Sequence, residues 1–212
     1  PGALLGAGIA VGVTVGVGKS GAIQRMVLVG VAVSALCSAL TSIFLVIDEA
    51  QLATVMSWLS GRLAGVRLDD IIPALIAVLV VVPLTLVGAK TLDLLVAGDA
   101  VAGAVGAKPE RIRLAAIVAA VVLIAPAVAA TGPIGFLGLM AATVAWRVCG
   151  PHHRMGLCVA GIVGAAVLLV ADSVGQAIWA PAETPVGIVT SLAGMPLVLW
   201  SVHALGRRKH AA

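Results

Sequence analysis

The chain has 212 residues, 61% hydrophobic and only 10% charged, with a mean hydropathy of +1.19. Soluble globular proteins carry about 45–50% apolar and about 25% charged residues, so too little polar surface is present to cover a water-facing globule; soluble enzymes, nucleic-acid binders and disordered chains are excluded. The net charge of +4 is dispersed in small basic clusters between apolar runs, which is the distribution of membrane topology rather than of a nucleic-acid face.

A helix needs about 20 apolar residues to cross a hydrocarbon core roughly 30 Å thick. The first apolar run, Gly2 to Gly18, is slightly short, and the chain opens at Pro1 rather than Met; the expectation is a front end trimmed from a longer protein. Met26 to Ile47 and Ile71 to Ala89 are the second and third runs. Leu114 to Trp146 then gives 33 residues without a charge, about 50 Å as one helix at 1.5 Å per residue. Thr131-Gly132-Pro133-Ile134-Gly135 lies inside that run and predicts a break, hence two spans joined by a tight turn. Met155 to Ala171 and Pro185 to Leu205 bring the count to seven segments. The predicted fold is an all-α, polytopic transmembrane helical bundle forming a single domain over residues 1–212.

Charge orients the segments. With the first one running from outside to inside, the inner connections hold Lys19, Arg25, Lys90, Lys108, Arg111, Arg113, Arg147, Arg154, Arg207, Arg208 and Lys209, which is eleven of the thirteen basic residues. The outer connections hold Arg62 and Arg67 with Asp48, Glu49, Asp69, Asp70 and Glu183. That asymmetry satisfies the positive-inside rule and places the C-terminus in the cytoplasm. Residues 48–70 carry Trp58 in a moderately amphipathic stretch, which predicts a short interfacial helix outside the bilayer core. Residues 90–113 are predicted as a long inner loop of short helical stretches punctuated by Gly98, Gly103 and Gly106, a docking element for a cytoplasmic partner.

Little in the chain can do bond chemistry. Gly18-Lys19-Ser20 resembles the tail of a phosphate-binding loop, but Val13 stands where that motif needs its first glycine. His152-His153 lacks the carboxylate or cysteine pair that would complete a metal site, and both read as part of a solvated loop. Cys37, Cys149 and Cys158 read as small hydrophobes. Asp172 follows seventeen apolar residues and reads as an interfacial carboxylate or cap in preference to a member of a transport path. No HExxH, GxSxG or paired intramembrane carboxylates occur. No catalytic residue, resident metal or cofactor is expected. Abundant Gly and Ala let helix backbones approach closely.

Several motifs go further. Gly132-Pro133-Ile134-Gly135-Phe136-Leu137-Gly138-Leu139 resembles the GPIGFVGL signature of the FecCD/BtuC-type permeases of binding-protein-dependent ABC importers. Gly150-Pro151-His152-His153-Arg154 resembles that family's GPDHR loop. Ala182-Glu183-Thr184-Pro185-Val186-Gly187-Ile188-Val189-Thr190, followed by Gly194-Met195-Pro196, is similar to its AELPVGIVTALIGAP stretch. Gly98-Asp99 to Gly106, with Arg111, resembles the GEExARxLGV segment. These matches keep the family's order and spacing across almost the entire chain. They imply the last seven of about ten helices, the C-terminal two-thirds of a family member.

The resemblance implies a permease subunit, not an enzyme, that moves an iron–siderophore complex across the bacterial inner membrane, with cobalamin or haem as the alternative cargo. It implies a second permease chain, an extracytoplasmic binding protein and ATP-binding cassette subunits as partners, and ATP hydrolysis on the last of these. Gly98, Asp99, Gly103, Gly106 and Arg111 would form the ATPase-coupling element. Gly132, Pro133, Gly135, Phe136, Gly138, Pro185, Gly187, Gly194 and Pro196 would shape the translocation path. The chain departs from the pattern at Ala142-Thr143 and Trp146, where the family has Pro-His and then Arg, and at Gln176, where it commonly has the Arg that pairs with the binding protein. Docking would then fall to Arg62 or Arg67 near Glu183 and Gln176, or to a non-identical partner chain. An ATP-independent secondary carrier and a subunit that no longer transports are the competing readings. A carrier would need intramembrane ion-binding residues, and only Asp172 comes near that description.

Overall fold

The computed structural model describes residues 6–10, 12–13, 16, 23–47, 52–179 and 185–196. Among the described residues every regular element is helical: α1 (Ile23–Ile47), α2 (Leu52–Leu59), α3 (Leu68–Val96), α4 (Asp99–Ala104), α5 (Pro109–Thr131), α6 (Leu137–Cys149), α7 (His153–Trp179) and α8 (Val186–Pro196). Among the described residues four stretches are long and apolar enough to cross a membrane: Leu28–Ile47, Leu68–Val96, Pro109–Thr131 and His153–Ile178. The first and last expected segments are described only in part. Glu183 and the basic cluster Arg207-Arg208-Lys209 lie outside the described residues.

Helix α3 is the longest of the described elements, with 29 residues, or about 43 Å at 1.5 Å per residue. It overshoots the expected Ile71–Ala89 at both ends. Asp69 and Asp70 occupy its first turn, where negative charge complements the helix dipole. The Asp70 carboxylate accepts the backbone N–H of Arg67 at 3.2 Å, the acidic half of a capping box. At the other end Lys90-Thr91-Leu92-Asp93-Leu94-Leu95-Val96 remains helical, because polar residues leave the hydrocarbon without breaking the backbone ladder. The expected inner stretch over 90–113 is shorter outside the long helices than its bounds suggest. Its first seven residues finish α3, its last five open α5 behind Pro109 at the first helical turn, and between them lies the six-residue α4.

The expected break falls at residues 132–136, which are non-helical. The helical part of the second span is shorter than expected: α6 has only 13 residues, about 20 Å, and Gly150-Pro151 ends it. With the non-helical residues 132–136 ahead of it, the segment still runs from the Gly132 junction to the end of α3, where His153 meets Asp93. The predicted interfacial helix around Trp58 corresponds to α2.

The most extensive helix contact is α6 on α7, followed by α3 on α5 and α3 on α7, with α4 bridging α3 and α5. Helix α3 is therefore the hub. Its buried residues Ala77, Val81 and Ala89 fall on one stripe at multiples of four. The α6–α7 seam is equally fine-grained: Met140, Ala141 and Ala145 are buried, and a Cβ on Gly164 would lie 3.7 Å from the Ala141 Cβ. Large side chains such as Leu79, Leu84, Val87, Leu169 and Val170 face outward. Alanine-rich interfaces beneath a leucine- and valine-rich exterior fit a lipid solvent, where close backbone packing replaces the hydrophobic effect between helices.

Candidate functional site

The functional candidates gather at two opposite ends of the helix bundle. At one end α3 runs into α4 and α4 into α5. Gly98 is the residue before α4 and Asp99 its first residue. Ala102 is fully buried, and Val101 and Val105 are exposed, so α4 has an anchored side and a free apolar side. The Arg113 guanidinium donates to the Asp99 carboxylate at 2.8 Å, tying α4 to the second turn of α5. Both side chains are about half exposed, and such surface pairs are worth about 0.2–1 kcal/mol. The pair orients α4 more than it stabilises the protein. Arg111, the basic residue singled out from sequence, is exposed on the first turn of α5, two positions before the one that Asp99 engages. Gly103 is on the exposed side of α4 and Gly106 is in the turn after it.

A second polar contact at this end was not legible in the sequence. Asp93, on the last turn of α3, accepts the backbone N–H of His153 at 2.9 Å and meets His153 Nδ1 at 2.6 Å. A carboxylate only accepts, so Nδ1 is the protonated ring nitrogen. The ring also stands edge-on to Trp146, with centroids 6.4 Å apart. His153 is therefore a half-buried helix-start residue capped by another helix, which corrects its reading as part of a solvated loop. His152 fits that reading, being exposed with its ring against the Cys149 carbonyl. Sixty residues separate Asp93 from His153, and no local pattern links them.

At the opposite end three chain segments meet backbone to backbone. The N–H of Arg62 donates to the Thr131 carbonyl at 2.8 Å, and that of Gly187 to the Gly61 carbonyl at 3.4 Å. The Trp58 indole reaches the Ala129 carbonyl at 3.4 Å. Gly132 has φ +76°, and a Cβ there would run into the Trp58 carbonyl. At Gly61, φ +72°, a Cβ would sit 2.8 Å from the Pro133 carbonyl. Gly187 and Gly194 leave no more room: a Cβ on the former would lie 2.5 Å from the Ser60 carbonyl, and on the latter 2.5 Å from the Phe136 Cβ. Phe136 itself has φ +61°, a conformation a non-glycine residue seldom adopts. Ser191 Oγ donates to the Gly187 carbonyl at 2.7 Å and packs beside Gly135.

Of the motif residues read from sequence, the structure thus brings together Gly132, Pro133, Gly135, Phe136, Gly187 and Gly194. Pro185 stands just before α8, at the edge of this junction. Gly138 has nothing within 4 Å of a Cβ, and Pro196 is exposed at the last described residue of α8. Sequence reasoning missed Gly61. Its one signal is a glycine between two polar residues, which reads as an ordinary loop.

The candidate docking residues are distributed around the same end. Arg62 is half-buried, with its guanidinium donating to Ser57 Oγ at 2.5 Å, so it belongs to the junction. Arg67 is exposed at the start of α3. Gln176 is exposed on α7, its amide donating to the Asp172 carboxylate at 2.8 Å. Among the described residues no group of three or more His, Cys, Asp or Glu side chains is placed to hold a metal ion.

Comparison with known proteins supplies the frame for these two ends. The model of the FecCD transport family matches residues 1–204. The iron(3+)-hydroxamate import system permease protein FhuG of Bacillus subtilis (strain 168) is 36% identical over 177 residues, covering 83% of this chain and 53% of that protein. The hemin transport system permease protein HmuU of Yersinia pestis is 36% identical over 86% of this chain and 55% of its own length. The cobalamin import system permease protein BtuC of Halobacterium salinarum is 37% identical over 82% and 47% respectively. The chain therefore spans about half the length of the curated relatives it matches. A solved structure of a transporter assigned to the metal-chelate type of ABC transporter, in an inward-facing conformation, superposes with a TM-score of 0.81 at 29% identity, covering 90% of this chain and 62% of that one. The family model over residues 1–204, the relatives at 36–37% identity and the superposition over 90% of this chain agree, and by that agreement it belongs to the FecCD transport family.

Proposed function

We propose that this chain forms part of the membrane-spanning permease of an ATP-driven, binding-protein-dependent importer, and that its cargo is an iron–siderophore complex. The observation that carries the reading is α4, a six-residue helix held between the ends of two long apolar helices with its Val101 and Val105 side exposed. An ion-coupled carrier does not require such an appendage, because its driving ion binds within the membrane. A subunit driven from outside the membrane needs one, because a rigid lever must carry the partner's preference for one conformation into the bundle. In this reading an ATPase subunit seats α4, and Lys90, Lys108, Arg111, Arg113, Arg147 and Arg154 place that end in the cytoplasm by the positive-inside rule. The opposite end, with Arg67, Gln176 and Asp172, faces the binding protein, and a second permease chain completes the path. Relatives named for hydroxamate, hemin and cobalamin import support a metal-chelate cargo, and the siderophore is the cargo we favour.

Uncoupling is the test. In the reconstituted transporter, Asp99→Lys reverses the charge facing Arg113 and Gly106→Leu places a side chain where φ is +82°. Each is expected to cut uptake of a radio-iron-loaded hydroxamate siderophore per ATP hydrolysed by roughly fivefold or more, the usual size of a lost conformational coupling, while membrane insertion persists. Unchanged ratios in both variants would remove α4 from the coupling route. Uptake of haemin or cobalamin in place of the siderophore would reassign the cargo and leave the importer class intact.

A further inference from the structure

We infer that Asp93 and His153 form a permanent strut that carries movement of α4 to the α6–α7 hairpin, making both positioning residues of the transport cycle; the inference rests on the α4-coupling reading above. Asp93 lies on the last turn of α3, six residues before Asp99. Through Asp99–Arg113 the helix α4 is already tied to α5. Nothing in that tie reaches α6 or α7, which pack chiefly on each other. The carboxylate of Asp93 closes this gap. One oxygen receives both the His153 backbone N–H, at 2.9 Å, and the ring N–H, at 2.6 Å.

Two features mark this contact as a mechanical link. It is charge-assisted and doubled, so it resists both sliding and rotation of the α7 start against the α3 end. The ring it holds is also braced edge-on by Trp146 near the C-terminal end of α6, so three helix ends meet at one imidazole. From there α6 leads back, within 13 residues, to Phe136 at the glycine-packed junction. A shift of α4 is thereby delivered along α6 and α7 to the opposite end of the bundle, without passing through the lipid-facing sides of α3 or α5.

The test uses the reconstituted transporter with its ATPase and binding protein, and a radio-iron-loaded hydroxamate siderophore as probe. Asp93→Ala is expected to insert and to co-purify with the ATPase, yet to lose roughly fivefold or more of its uptake per ATP hydrolysed. Asp93→Asn keeps an acceptor for the His153 N–H and is expected to restore most of the ratio. His153→Ala retains the backbone half of the strut and decides the matter should Asp93→Ala fail to assemble: its ratio is expected to fall between those of wild type and Asp99→Lys. In a background with Cys37, Cys149 and Cys158 replaced by Ser, the Asp93→Cys/His153→Cys pair joined by a short reductant-cleavable cross-linker is expected to transport in both the joined and the reduced state.

Wild-type ratios in Asp93→Ala, or in His153→Ala where the first variant does not assemble, overturn the proposal. So does a joined pair that transports only after reduction, because the contact would then have to open in each cycle. Asp99→Lys separates the two levels. If it uncouples while the clasp variants do not, only the strut falls; if it too is silent, the α4 reading falls first.

Discussion

Gly132→Val is expected to leave almost no assembled protein. The residue ends α5 with φ +76°, and the position its Cβ would occupy is filled by the carbonyl oxygen of Trp58, with the Gly61 Cα 3.3 Å away. Both obstructions are backbone, so no rotamer change relieves them. Holding a non-glycine residue in a left-handed conformation costs on the order of 1–3 kcal/mol. The clash adds the loss of hydrogen bonds that close the junction, including Arg62 N–H to Thr131. Native proteins are stable by only about 5–15 kcal/mol in total. The measurement is the yield of monodisperse protein in detergent and its thermal transition, beside Gly138→Val six residues on. A Cβ at Gly138 meets nothing within 4 Å, and that variant is expected to behave as wild type. A Gly132→Val protein with a wild-type transition would show that the three segments do not close on each other in solution.

The contrast between Gly132 and Asp93 explains what the sequence could tell and what it could not. The break at Thr131–Gly135 was visible because Gly-Pro interrupts a helix wherever it stands. The hydrophobic runs were visible because the bilayer demands about 20 apolar residues in a row. Helix ends were less legible. Lys90 and Asp93 looked like the start of a loop, although charge ends a hydrocarbon crossing without ending a helix. Partner choice was the least legible. Asp99 had Arg111 and Arg113 within reach in the sequence, and only the angle of the α4–α5 turn decides for Arg113. Asp93 and His153 are joined by the tertiary packing of α3 on α7 and by nothing local. Gly61 became informative only once Pro133 and Gly187 stood against it.

Ala89→Phe and Val87→Phe, two positions apart on α3, are expected to differ by about 1–3 kcal/mol, the usual cost of overfilling a packed interior. Two residues along a helix turn through about 200°, so the two side chains point to opposite sides. Ala89 is 0% exposed and Val87 is 82% exposed. In water an extra phenylalanine on the outer side would invite aggregation. In lipid it exchanges one apolar neighbour for another and changes little. At Ala89, which is fully buried on the side of α3 that carries Ala77 and Val81, the same side chain must displace its packed neighbours, and α3 packs on α5 and α7. Thermal unfolding in detergent, with each variant beside wild type, reads the difference directly. Equal losses at both sites would mean that α3 is buried on all sides in the assembled transporter, with the Val87 side covered by protein. A silent Ala89→Phe together with a damaging Val87→Phe would invert the assignment of the lipid-facing and protein-facing sides of the central helix.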